Sequence, residues 1–394
     1  MILLQSIELG TINEYLNKQY TDYFIYFTTF LAVLTTIGWS FNDSDSSQGK
    51  TITTNNSASN TASIFLGIAI ILYFGLATIY GIFIGDTILY EWSYRHIDNT
   101  TPFLPFFEDE ALFLNLQTLI YKLGGHEYYY FAIVIALIYV GSLLLACHKL
   151  ISYNIWVTFL FCITSFSFFS YGTNGIRNGA ACHLVLLGIV YLKERWNLKQ
   201  LLALTCFLFA FLIHRSSILP ILCAIFCCFF RIKPHVTIAI WFVSIIISII
   251  FGNAISNLFL GLGFDSRFDK YYQDQLNIEQ MQRDFAYVGF RFDFLLYSAV
   301  PIFMVWYLTV KRNFQDKVYN IIANTYILSN AFWILVIRAS YSNRFAYLSW
   351  FLYPIIIAYP LLRMNIWENQ NRKTALILFV YSCFTYAMFL LGKI

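Results

Sequence analysis

The groups in this chain best placed to do chemistry are charged side chains that abut apolar runs, and most of them are arginines. Arg177, Arg215, Arg291, Arg338 and Arg344 all stand at predicted helix ends. A guanidinium stays ionised and presents a planar fork of donors that matches phosphate oxygens. An ionisable group at membrane depth is a functional candidate by default, with snorkelling or a structural ion pair as the alternative. The same segments hold groups able to exchange a proton with a hydroxyl, namely His214, Asp86 and Glu110. Tyr90 and Tyr341 add rings beside these charges. Arginines of this kind bind anions, and the neighbouring carboxylates and histidine suit proton transfer.

Each group sits in a recognisable local setting. Gly85-Asp86-Thr87-Ile88-Leu89-Tyr90 mixes carboxylate, hydroxyl and aromatic groups, as an interfacial aromatic belt also does. Within 110–123, Leu112, Leu116, Leu119, Ile120 and Leu123 form an apolar stripe at helical spacing. This predicts an amphipathic helix at the interface or folded into a bundle. Glu110 opens it, so capping and catalysis are both open readings of its carboxylate. The run Tyr171–Ala181 breaks one helix and opens another near Arg177, so free N–H groups and a guanidinium are expected to face one anion, with a Gly-rich helical hairpin as the alternative reading. His214-Arg215-Ser216-Ser217 separates two apolar runs. Arg291 and Asp293, two apart at a helix start, are expected to point to different sides. Tyr341 and Arg344, three apart, are expected to share a helical face.

The elements that must position these groups are membrane helices. The 394 residues are 59% hydrophobic, 20% aromatic and 12% charged, with mean hydropathy +0.63. Soluble domains carry about 25% charged residues, so the composition excludes a soluble enzyme, a nucleic-acid-binding domain and a disordered chain. A helix needs ~20 apolar residues to cross the hydrocarbon core. Twelve candidates follow: 22–41, 63–84, 128–147, 154–170, 177–192, 199–213, 217–230, 236–257, 292–310, 319–337, 345–362 and 374–392. The runs are continuous rather than alternating, which excludes a β-barrel. The expected fold is all-α: one transmembrane domain over 1–394, an outer loop with an amphipathic helix at 85–127, and a long outer loop at 258–291.

Orientation follows from the short loops. The set assigned to the cytoplasm holds eight lysines and five arginines. The opposite set holds eight arginines and four lysines, an excess of arginine that opposes the usual bias. The net charge of +4 is too mild to imply a nucleic-acid partner. The eight cysteines lie in apolar runs, form no CxxC and read as small apolar side chains. No metal-binding sequence emerges, since Asp43-Ser44-Asp45 falls in a Ser-rich linker. The first 20 residues lack a basic n-region, so insertion is expected to rely on the helices themselves.

Taken in order, the segments resemble the EpsG/Wzy-like family of bacterial polysaccharide polymerases. The likeness rests on Gly85–Tyr90, Glu110 opening its amphipathic stretch, and Gly175–Ala181. It continues through His214–Ser217, Gly289–Ser298 and Ser342–Pro354. It covers about residues 63–363; the Ser/Asn/Thr loop at 42–62 has no counterpart in it. The resemblance implies a GT-C-like bundle in the bacterial inner membrane that joins undecaprenyl-pyrophosphate-linked oligosaccharide repeats on the periplasmic face. It implies no metal and no other cofactor. Donor, acceptor, membrane lipid and a chain-length regulator protein are the implied partners. On this reading Arg177, Arg215, Arg291, Arg338, Arg344, Tyr90 and Tyr341 bind substrate. His214, Asp86 and Glu110 are the catalytic candidates. A lipid-linked oligosaccharide flippase and an O-antigen ligase are the competing readings.

Overall fold

Apolar sequence in helical register dictates the architecture. In the computed structural model the described residues are 2–42, 57–192, 198–261, 290–338, 342–364 and 366–391, and among them there is no strand. Among the described residues six helical segments are long and apolar enough to cross a membrane: Ala58–Gly75, Tyr128–Leu150, Pro234–Gly252, Phe292–Lys311, Asn343–Arg363 and Gln370–Leu390. A seventh arises if Ile155–Ile163 and Phe166–Thr173, bent by 71°, form one span. The chain is a polytopic helical membrane protein. Three further runs expected to span are shorter helices, Ile176–Tyr191, Lys199–Ile213 and Arg215–Phe230. The DxD sequence of the 43–56 linker and most of the 258–291 loop lie outside the described residues.

Packing groups the chain into two units. The first comprises 1–215 and 358–394. Its helices are α1 (Ile2–Asn42), α2 (Ser57–Gly75), α3 (Thr87–Arg95), α4 (Ala111–Lys122), α5 (Tyr128–Leu150), α6 (Ile155–Ile163), α7 (Phe166–Thr173), α8 (Ile176–Tyr191) and α9 (Leu198–Ile213). A late helix, Gln370–Leu390, closes against α1, where the Thr36 hydroxyl donates to the Ala375 carbonyl at 3.0 Å. Helices in lipid associate by close packing, which small residues permit. A Cβ on Gly75 of α2 would sit 2.6 Å from Ile133 of α5. One on Gly179 of α8 would sit 2.8 Å from the Tyr139 ring of α5. At the centre Phe24, Phe74, Phe168 and Phe169 stack together, and Tyr139 lies flat on His183 at 4.4 Å.

The second unit comprises 216–357. It contains α10 (Ile218–Phe230), α11 (Pro234–Gly261), α12 (Phe292–Trp306), α13 (Lys317–Leu335) and α14 (Asn343–Trp350). Helix α13 is central and carries an uncharged polar stripe. Asn330 accepts from the Trp241 indole at 2.8 Å and donates to Ser298 at 3.1 Å and Ser349 at 3.0 Å. The Trp350 indole donates to the same Ser298 hydroxyl at 2.8 Å. Six residues earlier on the same helix, Asn324 accepts from Thr237 at 2.7 Å and donates to the Ile232 carbonyl at 2.6 Å. Buried amides hold helices together only when their donors and acceptors are matched, and these are.

Candidate functional site

The site in the first unit is built from three segments far apart in sequence. Asn17 of α1 grips the backbone of Phe83 from both sides, accepting from its N–H at 3.1 Å and donating to its carbonyl at 2.8 Å. Two residues later Gly85 turns with φ +56, and a Cβ there would lie 2.0 Å from the Asn174 side chain. Only glycine meets both demands. Asn174 uses that proximity to accept from the Asp86 N–H at 3.0 Å, and the Thr87 hydroxyl donates to the Thr173 carbonyl at 2.5 Å. The turn after α7 is thereby clipped to the start of α3. Arg177 follows on the first turn of α8.

Arg177 is the centre of the cluster. Its guanidinium pairs with the Glu110 carboxylate, and the two side chains are only 10% and 15% exposed. Tyr90 and Phe113 present rings to the same guanidinium, each with its centroid 5.5 Å away. The Tyr90 hydroxyl reaches Asp86 at 3.5 Å. Asp86, Tyr90, Glu110 and Arg177, singled out separately from the sequence, thus converge. Glu110 occupies the position preceding α4, yet its side chain makes no capping bond. Its backbone is left-handed, with φ 59 and ψ 22, a conformation that costs a non-glycine residue roughly 1–2 kcal/mol. The buried ion pair, not helix capping, holds it there.

Arg215 joins from the turn after α9. Its Nε pairs with Asp109 at 3.1 Å and its Nη2 donates to the Phe107 carbonyl at 2.9 Å. Both partners in this second pair are about half exposed, 48% and 52%. His214, buried, precedes Arg215 at the end of α9, where its N–H donates to the Ala210 carbonyl at 2.9 Å. The segment 101–110 that carries Asp109 and Glu110 is fixed upstream by α4. The Asn115 amide bridges Leu104, accepting from its N–H at 2.7 Å and donating to its carbonyl at 2.9 Å. Lys122 donates to the Thr101 carbonyl at 2.6 Å. Ahead of it, Asp98 is held below its ordinary pKa by the hydroxyls of Thr100 and Thr101.

One open reading narrows here and one expectation changes. The stripe Leu112, Leu116, Leu119, Ile120 and Leu123 does not face the protein core: Leu119 and Leu123 are exposed, and the buried face of α4 is Ala111, Phe113, Gln117 and Thr118. In a membrane protein the apolar stripe can be left to lipid while a smaller, more polar face packs inward. Arg291 and Asp293 also do not diverge. They form a two-pronged pair at 2.9 and 2.7 Å, because Arg291 precedes α12 in a non-helical conformation and its side chain folds back over the first turn.

The second unit holds Arg291, Arg338 and Arg344. Arg291 lies 3.7 Å from the Phe294 ring centroid. Arg338 lies over Phe290 at 6.0 Å and against the backbone of Gly252 in α11. Arg344 stands on the first turn of α14, half-buried. Tyr341 lies outside the described residues, so its shared face with Arg344 does too. Sequence reasoning missed Asp109, Phe113, His183 and the clip made by Asn174. The signal for Asn174 was present, an asparagine between two helices beside a glycine. For Asp109 there was none.

Comparisons with curated proteins and with solved structures return no match. A family model, the EpsG family, matches residues 63–393. The ordered set of segments from Gly85 to Pro354 lies within that match, and the chain belongs to the EpsG family, a Wzy-like polysaccharide polymerase family.

Proposed function

We propose that the protein polymerises O-antigen or a related surface polysaccharide at the outer face of the bacterial inner membrane. It would act as a bundle of about twelve spans of GT-C type. Donor and acceptor are undecaprenyl-pyrophosphate-linked repeats, and a chain-length regulator protein is a further partner. The family assignment supports the polymerase reading. The observation that carries it to residues is the convergence of Asp86, Tyr90, Glu110 and Arg177 beside the Asp109–Arg215 pair.

As the glycosidic bond breaks, its electron pair passes to the diphosphate, and cations placed there stabilise that charge. Arg177 and Arg215 take this role, with Arg291, Arg338 and Arg344 as further anion ligands. Tyr90 and Tyr341 contact sugar. The acceptor hydroxyl gives its proton to a base drawn from His214, Asp86 and Glu110. A single displacement inverts the anomeric centre.

Deletion of the gene tests the reading on a gel of surface polysaccharide. A polymerase mutant leaves lipid A core carrying a single repeat. A ligase mutant leaves nothing attached, and a flippase mutant delivers no repeat; either pattern overturns the proposal.

A further inference from the structure

Arg177 and Arg215 of the first unit are engaged by carboxylates from consecutive residues of one segment. Glu110 holds Arg177, and Asp109 holds Arg215. The segment is anchored upstream at Leu104 by Asn115. From Pro105 to Asp109 it is exposed, with Phe107 73% so. Its grip on α8 and on the turn after α9 runs through these ion pairs and the Phe107 carbonyl. Glu110, meanwhile, sits in a left-handed conformation that favours glycine. Two acids on consecutive residues thus place one negative charge on each of two arginines, as the donor's diphosphate carries one charge on each phosphate.

We propose that Asp109 and Glu110 are internal stand-ins for the diphosphate of the lipid-linked donor, and that its arrival displaces them and frees Glu110 to serve as the acceptor's base. The inference rests on the polymerase reading above. The donor's diphosphate, esterified at both ends, carries the same two charges as the carboxylates it replaces, and its phosphate oxygens match the arginine fork of donors. Once released, the Glu110 carboxylate leaves Arg177 to the diphosphate and takes the opposite side of the anomeric carbon, where inversion requires the acceptor to attack. The acceptor oxygen then bonds to the anomeric carbon, the carbon–oxygen bond to the diphosphate breaks, and the hydroxyl proton passes to the Glu110 carboxylate. The base is thus withheld until a donor is bound, so water is not activated in an empty site. His214 and Asp86 are left as orienting groups.

The test uses the full chain in lipid nanodiscs with inorganic pyrophosphate as the probe. Affinity is measured for the wild type, Asp109→Asn, Glu110→Gln and Arg177→Gln, and turnover is measured on lipid-linked repeats. If the carboxylates cover the arginines nine-tenths of the time, neutralising them tightens pyrophosphate binding about tenfold. Glu110→Gln is therefore expected to bind tighter while turning over far more slowly, and Asp109→Asn to bind tighter with folding preserved. A purely structural pair gives a different result: pyrophosphate binds the wild type through Arg177, and both neutral variants bind equally or more weakly. That outcome overturns the stand-in role alone. Binding absent from every variant, or unchanged by Arg177→Gln, overturns the arginine site and the inference with it.

Discussion

The two units solve the problem of burying polarity in opposite ways. The first places a full ion pair between partners 67 residues apart, Arg177 and Glu110, and wraps it in Tyr90 and Phe113. The second confines its described arginine–carboxylate pair to residues two apart, Arg291 and Asp293, and fills its interior with uncharged amides and hydroxyls around Asn330. A local pair orders a helix start whether or not the rest of the unit is folded. A long-range buried pair ties distant segments together and costs much to desolvate. Replacing such a pair with apolar groups is often neutral for stability, so its presence argues for a role beyond folding. Matched amides between helices, by contrast, are an ordinary means of holding a membrane bundle.

The contrast breaks most visibly at Arg177. Arg177→Ala leaves the Glu110 carboxylate buried without its cation, and the expected loss is about 3–5 kcal/mol. Polymer formation is expected to stop. Thermal unfolding in detergent measures the first effect; a stability equal to wild type would show the pair to be dispensable. Next comes Asn330→Leu in the second unit, which strips partners from Trp241, Ser298 and Ser349. The expected cost is about 2–3 kcal/mol, with activity per folded molecule largely kept. A selective loss of turnover at full stability would erase the distinction drawn between the units. The smallest effect belongs to Asp293→Asn. Its carboxylate is 45% exposed, so solvent screening leaves less than about 1 kcal/mol. A large destabilisation would mean that this local pair also does long-range work.

Much of this was legible in sequence, and the parts that were not have physical causes. Continuous apolar runs announce helices in lipid, so the all-helical bundle follows from composition. Asp86, Glu110, Arg177 and Arg215 were marked because charge beside apolar sequence is rare and needs a reason. Their pairing was not legible, since nothing in local spacing says that residue 110 meets residue 177. The stripe of α4 left interface and bundle both open for a related reason: an apolar face points to the core in water, but in a membrane it has lipid as an alternative. Arg291 and Asp293 misled because side-chain direction was inferred from helix geometry before the helix begins. Asn174 joins the glycine turn at Gly85 to the start of α8, a role visible only once the two loops lie together.

The most direct measurement of the central claim is polymer formation by purified protein in proteoliposomes supplied with lipid-diphosphate-linked repeats, comparing Arg177→Gln with Asp293→Asn. The account predicts a ladder of polymer from Asp293→Asn and unextended single repeats from Arg177→Gln at equal folded protein. A full ladder from Arg177→Gln would contradict it.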